Sequence, residues 1–93
     1  MIESTMDERT VKIRNRLGMH ARPAAEFVKL AGSFEAEVTV CRGDLQVNGK
    51  SIMGVLMLAA EQGAEMVIRT QGRQCREAAD ALVTLIENGF GEN

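Results

Sequence analysis

Tryptophan and tyrosine are absent, and three phenylalanines are the only aromatic residues besides a single histidine. A nucleic-acid binder usually stacks bases on aromatic side chains and presents a basic face. Here 11 basic residues stand against 13 acidic ones, a formal net charge of -2, which argues against that class. Long apolar runs are missing too. No stretch approaches the roughly 18 residues a membrane span needs, and Met1 to Glu8 is too polar for a signal peptide. A cytoplasmic protein without membrane insertion is expected. Cysteine is scarce: Cys41 and Cys75 are far apart and in no metal-ligand spacing, and one histidine leaves a zinc site without a usual ligand set. They read as two reduced thiols, with no metal and no cofactor; a single disulfide is the other arrangement two cysteines allow.

What is present is aliphatic. Hydrophobic residues make up 45% of the 93, so one modest core of Leu, Val, Ile, Met and Ala is expected in one domain. Residues 1–8 are polar and unpatterned and read as a loose extension, leaving 9–93 as the domain. From Thr10 the chain alternates, with Val11 and Ile13 on one face and Lys12 and Arg14 on the other, which predicts a half-buried strand. A helix is expected over Ala21 to Ala31, with Ala24, Phe27, Val28 and Ala31 on one stripe and Gly32 as its stop. Glu37 to Cys41 alternates again with Val38 and Val40 inward, and a short turn leads to a strand containing Leu45 and Val47. Asn48-Gly49 marks a turn before an apolar run from Ile52 to Ala60, ended by Gly63. Glu65 to Thr70 is the fourth strand, with Met66 and Ile68 inward, and Arg76 to Glu87 the last helix, carrying Ala78, Ala79, Leu82, Leu85 and Ile86. The order βαββαβα predicts a two-layer α/β (α+β) sandwich: an antiparallel sheet with three helices on one face and Lys12, Arg14, Glu37, Thr39 and Gln46 on the wet face.

Chemistry concentrates around His20. Pro23 and Ala24 belong to the first turn of the first helix, where a missing N–H costs nothing. The remaining first-turn N–H groups need an acceptor, yet the candidate cap positions His20, Ala21 and Arg22 offer none of the usual kind. A donor-rich helix start beside an arginine suits an anion. With a neutral imidazole as nucleophile, that anion becomes a phosphoryl group held on the ring, its oxygens accepting from the helix start and from Arg22. An ordinary surface or capping histidine fits the same spacing.

Ser51 precedes the second helix and reads as its N-cap. With Gly54 three residues on, no capping-box acid opposes a phosphate there. Ile52, Met53 and Leu56 are candidates for an exposed docking surface, because methionine-rich apolar surface repacks against unlike partners. Burial in the core is the alternative, and Val55 and Leu58 fit it better. Met19, in the His20 loop, is a further docking candidate.

Two stretches carry a resemblance: Asn15-Arg16-Leu17-Gly18-Met19-His20-Ala21-Arg22-Pro23-Ala24-Ala25, and Asn48-Gly49-Lys50-Ser51-Ile52-Met53-Gly54-Val55. From Thr10 to Phe90 the chain resembles HPr, the histidine-containing phosphocarrier family of the bacterial phosphotransferase system. The resemblance implies a four-stranded sheet in the order first, fourth, second, third. It implies that His20 takes phosphate on Nδ1 from phosphorylated enzyme I and gives it to IIA proteins or domains, with Arg22 assisting. It further implies phosphorylation of Ser51 by HPr kinase/phosphorylase, docking through Ile52, Met53 and Leu56, and a monomer. Leu17-Gly18-Met19-His20 and Asn88-Gly89-Phe90 look like the family's nitrogen-related paralogue, whereas Lys50 to Gly54 looks like kinase-controlled members. Arg73-Gln74-Cys75-Arg76 departs from a segment that is commonly acidic in the family.

Two other classes compete with the carrier. One is a regulatory binding protein whose phospho-state controls docking without carrying flux. The other is a small ligand-binding domain, for which the sequence offers no convergent polar set. A carrier consumes its own side chain as reactant, so it is a transfer intermediate rather than a stand-alone enzyme.

Overall fold

The alternating segments become strands and the 3.6-period segments become helices in the computed structural model, which describes residues 5–92. Strand β1 spans Met6–Lys12, β2 Glu37–Arg42, β3 Leu45–Asn48 and β4 Glu65–Gln71. Helix α1 spans Ala21–Gly32, α2 Ile52–Met57 and α3 Cys75–Glu87, followed by a single 3-10 turn at Gly89–Gly91. The strands form one antiparallel sheet in the order β1-β4-β2-β3. Val11 lies opposite Met66, and Val40 opposite both Ile68 and Val47. This register puts Val11, Val38, Val40, Met66 and Ile68 in the core, against Ala24, Phe27 and Ala31 of α1 and Leu82 and Ile86 of α3. Each large aliphatic or phenyl side chain fully buried here stabilises the fold by about 2 kcal/mol relative to exposure. The expected α/β (α+β) sandwich is the observed one, down to the strand order.

Local boundaries differ where tertiary contacts outvote local pattern. The first strand starts at Met6 rather than Thr10, so residues 6–8 of the expected loose extension pair with β4: Met6 opposite Gln71, Asp7 opposite Thr70, Glu8 opposite Arg69. Asp-Glu-Arg shows no apolar alternation. Its order comes from the ladder and from Arg9, whose guanidinium bonds Asp7 at 2.7 Å and Asp80 of α3 at 2.7 Å. Thr5 accepts the Gly72 N–H on its carbonyl at 2.7 Å, and residues 1–4 of the expected extension lie outside the described residues.

The apolar run after Ser51 is helical only to Met57, not to Ala60. Leu58 caps it, Ala59 takes a left-handed φ of 48°, and Arg42 bonds the carbonyls of Leu58 and Ala59 at 3.0 and 2.8 Å. This exit delivers Ala60 to the His20 loop, where its carbonyl accepts the Met19 N–H at 2.8 Å. Gly32 is the last residue of α1 rather than its stop; Ser33 is the C-cap, its hydroxyl donating to the Leu30 carbonyl. The final helix begins at Cys75, after Gln74 in a left-handed conformation. Phe90, beyond the last helix, is buried and belongs to the core cluster.

Candidate functional site

His20 occupies the N-cap of α1 with an extended backbone (φ -80°, ψ -171°), and its side chain makes no capping bond. Pro23 is the third helical residue and is buried, so its missing N–H falls where no intrahelical partner exists. The first-turn N–H groups of Ala21 and Arg22 have no acceptor within the helix, and the turn contains no acidic residue. The loop before His20 is fixed by contact rather than by propensity. A Cβ on Gly18, whose φ is +70°, would lie 2.4 Å from the Ala60 carbonyl oxygen, so only glycine fits. Asn15, buried beneath this loop, donates from Nδ2 to the Gly18 carbonyl at 2.7 Å.

An anion already sits among the side-chain donors of this site. The Glu92 carboxylate reaches His20 with Oε2 at 2.9 Å from Nε2, and the same oxygen accepts Arg22 Nε at 3.0 Å and a second Arg22 nitrogen. Its Oε1 accepts Asn15 Nδ2 at 2.9 Å. Arg22 also pairs with Glu26 one turn on and donates to the Phe90 carbonyl at 3.1 Å. Burial pushes the Glu92 carboxyl up, but hydrogen bonds from Asn15, Arg22 and His20 together outweigh it, and the net shift is below the usual carboxylate range. Among the described residues His20 Nδ1 makes no hydrogen bond, and the side chain is 36% exposed. The Asn15 Oδ1 atom is buried without a partner among the described residues.

Glu92 reaches the site through the turn at Gly89–Gly91. Gly89, Phe90 and Gly91 all take positive φ, at 63°, 57° and 71°. Glycine adopts this conformation freely, while Phe90 pays roughly 1–2 kcal/mol for it. Burial of the Phe90 ring offsets that cost and anchors the hook that carries Glu92.

The second candidate position is a helix cap. Ser51 is the N-cap of α2, and its Oγ accepts the Gly54 N–H at 3.1 Å. Asn48 Oδ1 accepts the Lys50 N–H at 2.8 Å, closing the turn before it, and Lys50 Nζ is held on the Phe34 carbonyl. Of the docking candidates, Ile52 and Met53 are exposed, Met53 at 71%, and Leu56 is half-buried against the core. Met19 is a correction: it is 4% exposed, because the bond between its N–H and Ala60 turns its side chain into the core. Leu17 and Met57, which were not picked out, are exposed at 69% and 65%. Glu92 and Asn15 were missed as well. Glu92 is 72 residues from His20, and no local pattern links them; Asn15 lay inside the recognised stretch without an assigned part.

Fold and site together define a small open-faced sandwich that offers one reachable imidazole at an uncapped helix start. Residues 7–88 match the family model described as the PTS HPr component phosphorylation site. The phosphocarrier protein HPr of Pseudomonas putida is 51% identical over 88 residues, covering 94% of this chain and 98% of that protein. The phosphocarrier protein NPr of Proteus mirabilis is 41% identical, covering 91% and 96%. Among solved structures, HPr-C-His from Thermoanaerobacter tengcongensis superposes with a TM-score of 0.90 at 44% identity, covering 94% of this chain and 98% of that one. An HPr dimer from the same organism gives 0.75 at 42%, covering 99% and 100%. The chain belongs to the HPr family of phosphocarrier proteins of the phosphotransferase system. Among the described residues no helix is long and apolar enough to cross a membrane, and Cys41 and Cys75 are unpaired.

Proposed function

We propose that His20 accepts a phosphoryl group on Nδ1 from phosphorylated enzyme I and passes it to IIA proteins or domains. The observation that carries this reading is the anion held beside the ring: Arg22 and Asn15 converge on the Glu92 carboxylate at an uncapped helix start. Donors that bind a carboxylate at hydrogen-bond distance can bind phosphoryl oxygens as well. In the first transfer the bond from the donor to phosphorus breaks as Nδ1–P forms, and in the second the acceptor's nucleophile takes the phosphorus from Nδ1. The shallow setting of the ring leaves room for each partner to approach in line. Arg22 stabilises the phosphoryl group by exchanging its Glu26 contact for phosphoryl oxygens, a swap of one anion for another.

Docking is assigned to the apolar patch of Ile52 and Met53 with the edge of Leu56, extended by Leu17 and Met57. Ser51 is assigned as a regulatory phosphorylation site for HPr kinase/phosphorylase. Its hydroxyl stands at a helix start with no acidic residue in the first turn, so a phosphate is accommodated locally while altering the neighbouring patch. A monomer working in the cytoplasm is the state this reading assigns, in keeping with the two unpaired thiols.

The test is reconstitution with purified enzyme I and labelled phosphoenolpyruvate, followed by a chase with candidate IIA proteins. Label is expected on the wild type, to leave it on addition of an acceptor, and to be absent from H20A. Label retained by H20A would overturn the assignment.

A further inference from the structure

We propose that Glu92 is a positioning residue for phosphoryl transfer: its carboxylate accepts the Nε2–H of His20 and fixes the ring tautomer that leaves the Nδ1 lone pair free. This rests on the reading of His20 as the phosphoryl acceptor. Glu92 stands outside residues 7–88, which match the family model.

The geometry dictates the tautomer. An ionised carboxylate can only accept, so a neutral ring that bonds Glu92 Oε2 through Nε2 at 2.9 Å must carry its proton on Nε2. The carboxylate cannot easily swing away to release that proton. Asn15 Nδ2 holds its other oxygen at 2.9 Å, Arg22 holds Oε2 with two nitrogens, and the side chain is 15% exposed. Phe90 pins the backbone two residues earlier. The donors also keep the carboxyl below its usual range, so it is ionised near neutrality.

This arrangement removes a proton transfer from both steps. In the forward step the Nδ1 lone pair forms the Nδ1–P bond while the donor–phosphorus bond breaks, and no proton has to leave Nδ1. The phosphorylated ring then carries a positive charge, with its Nε2–H facing the Glu92 carboxylate. In the onward step the Nδ1–P electron pair returns to Nδ1, and the neutral ring is restored with its proton still on Nε2. A ring protonated on Nδ1 would first have to change tautomer. Because the carboxylate sits at Nε2, it also leaves the Nδ1 edge open, which separates it from an anion that merely fills the phosphoryl seat.

The experiment uses full-length 15N-labelled protein, wild type and E92A, with circular dichroism as the folding control. Ring 15N shifts of His20 are read at a pH about two units above the ordinary imidazole range, where the tautomers of the neutral ring are resolved. The wild type is expected to show the Nε2–H tautomer alone, and E92A a mixture of both. The rate of phosphoryl acceptance from phosphorylated enzyme I should fall about three- to tenfold in E92A, the loss of one charge-assisted hydrogen bond at a partly exposed site. An unchanged tautomer in E92A would overturn the proposal. So would acceptance as fast as wild type or faster, the latter marking Glu92 as an occupant of the seat. Failure of the underlying reading shows separately, as label retained by H20A.

Discussion

Arg22 is where the site's chemistry and its packing meet in one side chain. The sequence places it at an exposed helix start, and it is indeed half-exposed, yet it contacts Glu92, Glu26 and the Phe90 carbonyl at once. Surface ion pairs are worth about 0.2–1 kcal/mol each, so R22A should lower stability by only about 1 kcal/mol in urea unfolding. Its effect on transfer should be larger, because in the proposed mechanism Arg22 grips Glu92 with its planar fork and offers the phosphoryl group a remaining N–H. R22K keeps the charge without the fork and should fall between R22A and wild type in phosphotransfer rate. Equal rates for all three proteins would remove Arg22 from the transfer step.

At the scale of elements, α2 and β1 make opposite demands on local sequence. The six-residue α2 depends on its cap, since a helix this short gains little from propensity. S51A leaves the Gly54 N–H without its acceptor and should cost about 1 kcal/mol, whereas S51D keeps a good capping oxygen and should unfold near the wild-type midpoint. Transfer should reverse that order. S51A is expected to accept phosphate nearly as fast as wild type and S51D slowly, because a charge beside Ile52 and Met53 opposes apolar docking. Rates that do not differ among the three would argue against a switch at Ser51.

Strand β1 is held from outside. Its first residues owe their order to β4 and to the link from Arg9 to Asp80, so deleting residues 1–8 should destabilise the domain by roughly 2 kcal/mol through lost ladder bonds and the lost Asp7 pair. A deletion without effect on the urea midpoint would mean that this end of the strand contributes nothing.

For the molecule as a whole, the informative contrast is between two methionines near the site. Met19 is enclosed in the core, while Met53 stands on the outer surface of α2. M19A should cost about 2–4 kcal/mol, the range for emptying a buried methionine site. M53A should leave stability within about 0.5 kcal/mol and slow the second-order transfer rate. Urea unfolding and phosphotransfer kinetics on the same two variants test both statements together. A stable M19A with impaired transfer would restore Met19 to the docking surface.

The sequence by itself determined the alternation of Val11, Val38, Val40, Met66 and Ile68, the helical stripe of Ala24, Phe27 and Ala31, the cap at Ser51 and the uncapped start at His20. Each depends on residues a few positions apart, where backbone period and side-chain chemistry act directly. Only the tertiary structure decided that residues 6–8 join the sheet, that α2 stops at Met57, that Met19 turns inward and that Glu92 meets His20. Those outcomes depend on groups far away along the chain: β4 and Asp80 for the first strand, Arg42 for the exit from α2, Ala60 for the His20 loop, and the buried Phe90 for Glu92. A local pattern cannot register an interaction whose second partner the fold has yet to bring near.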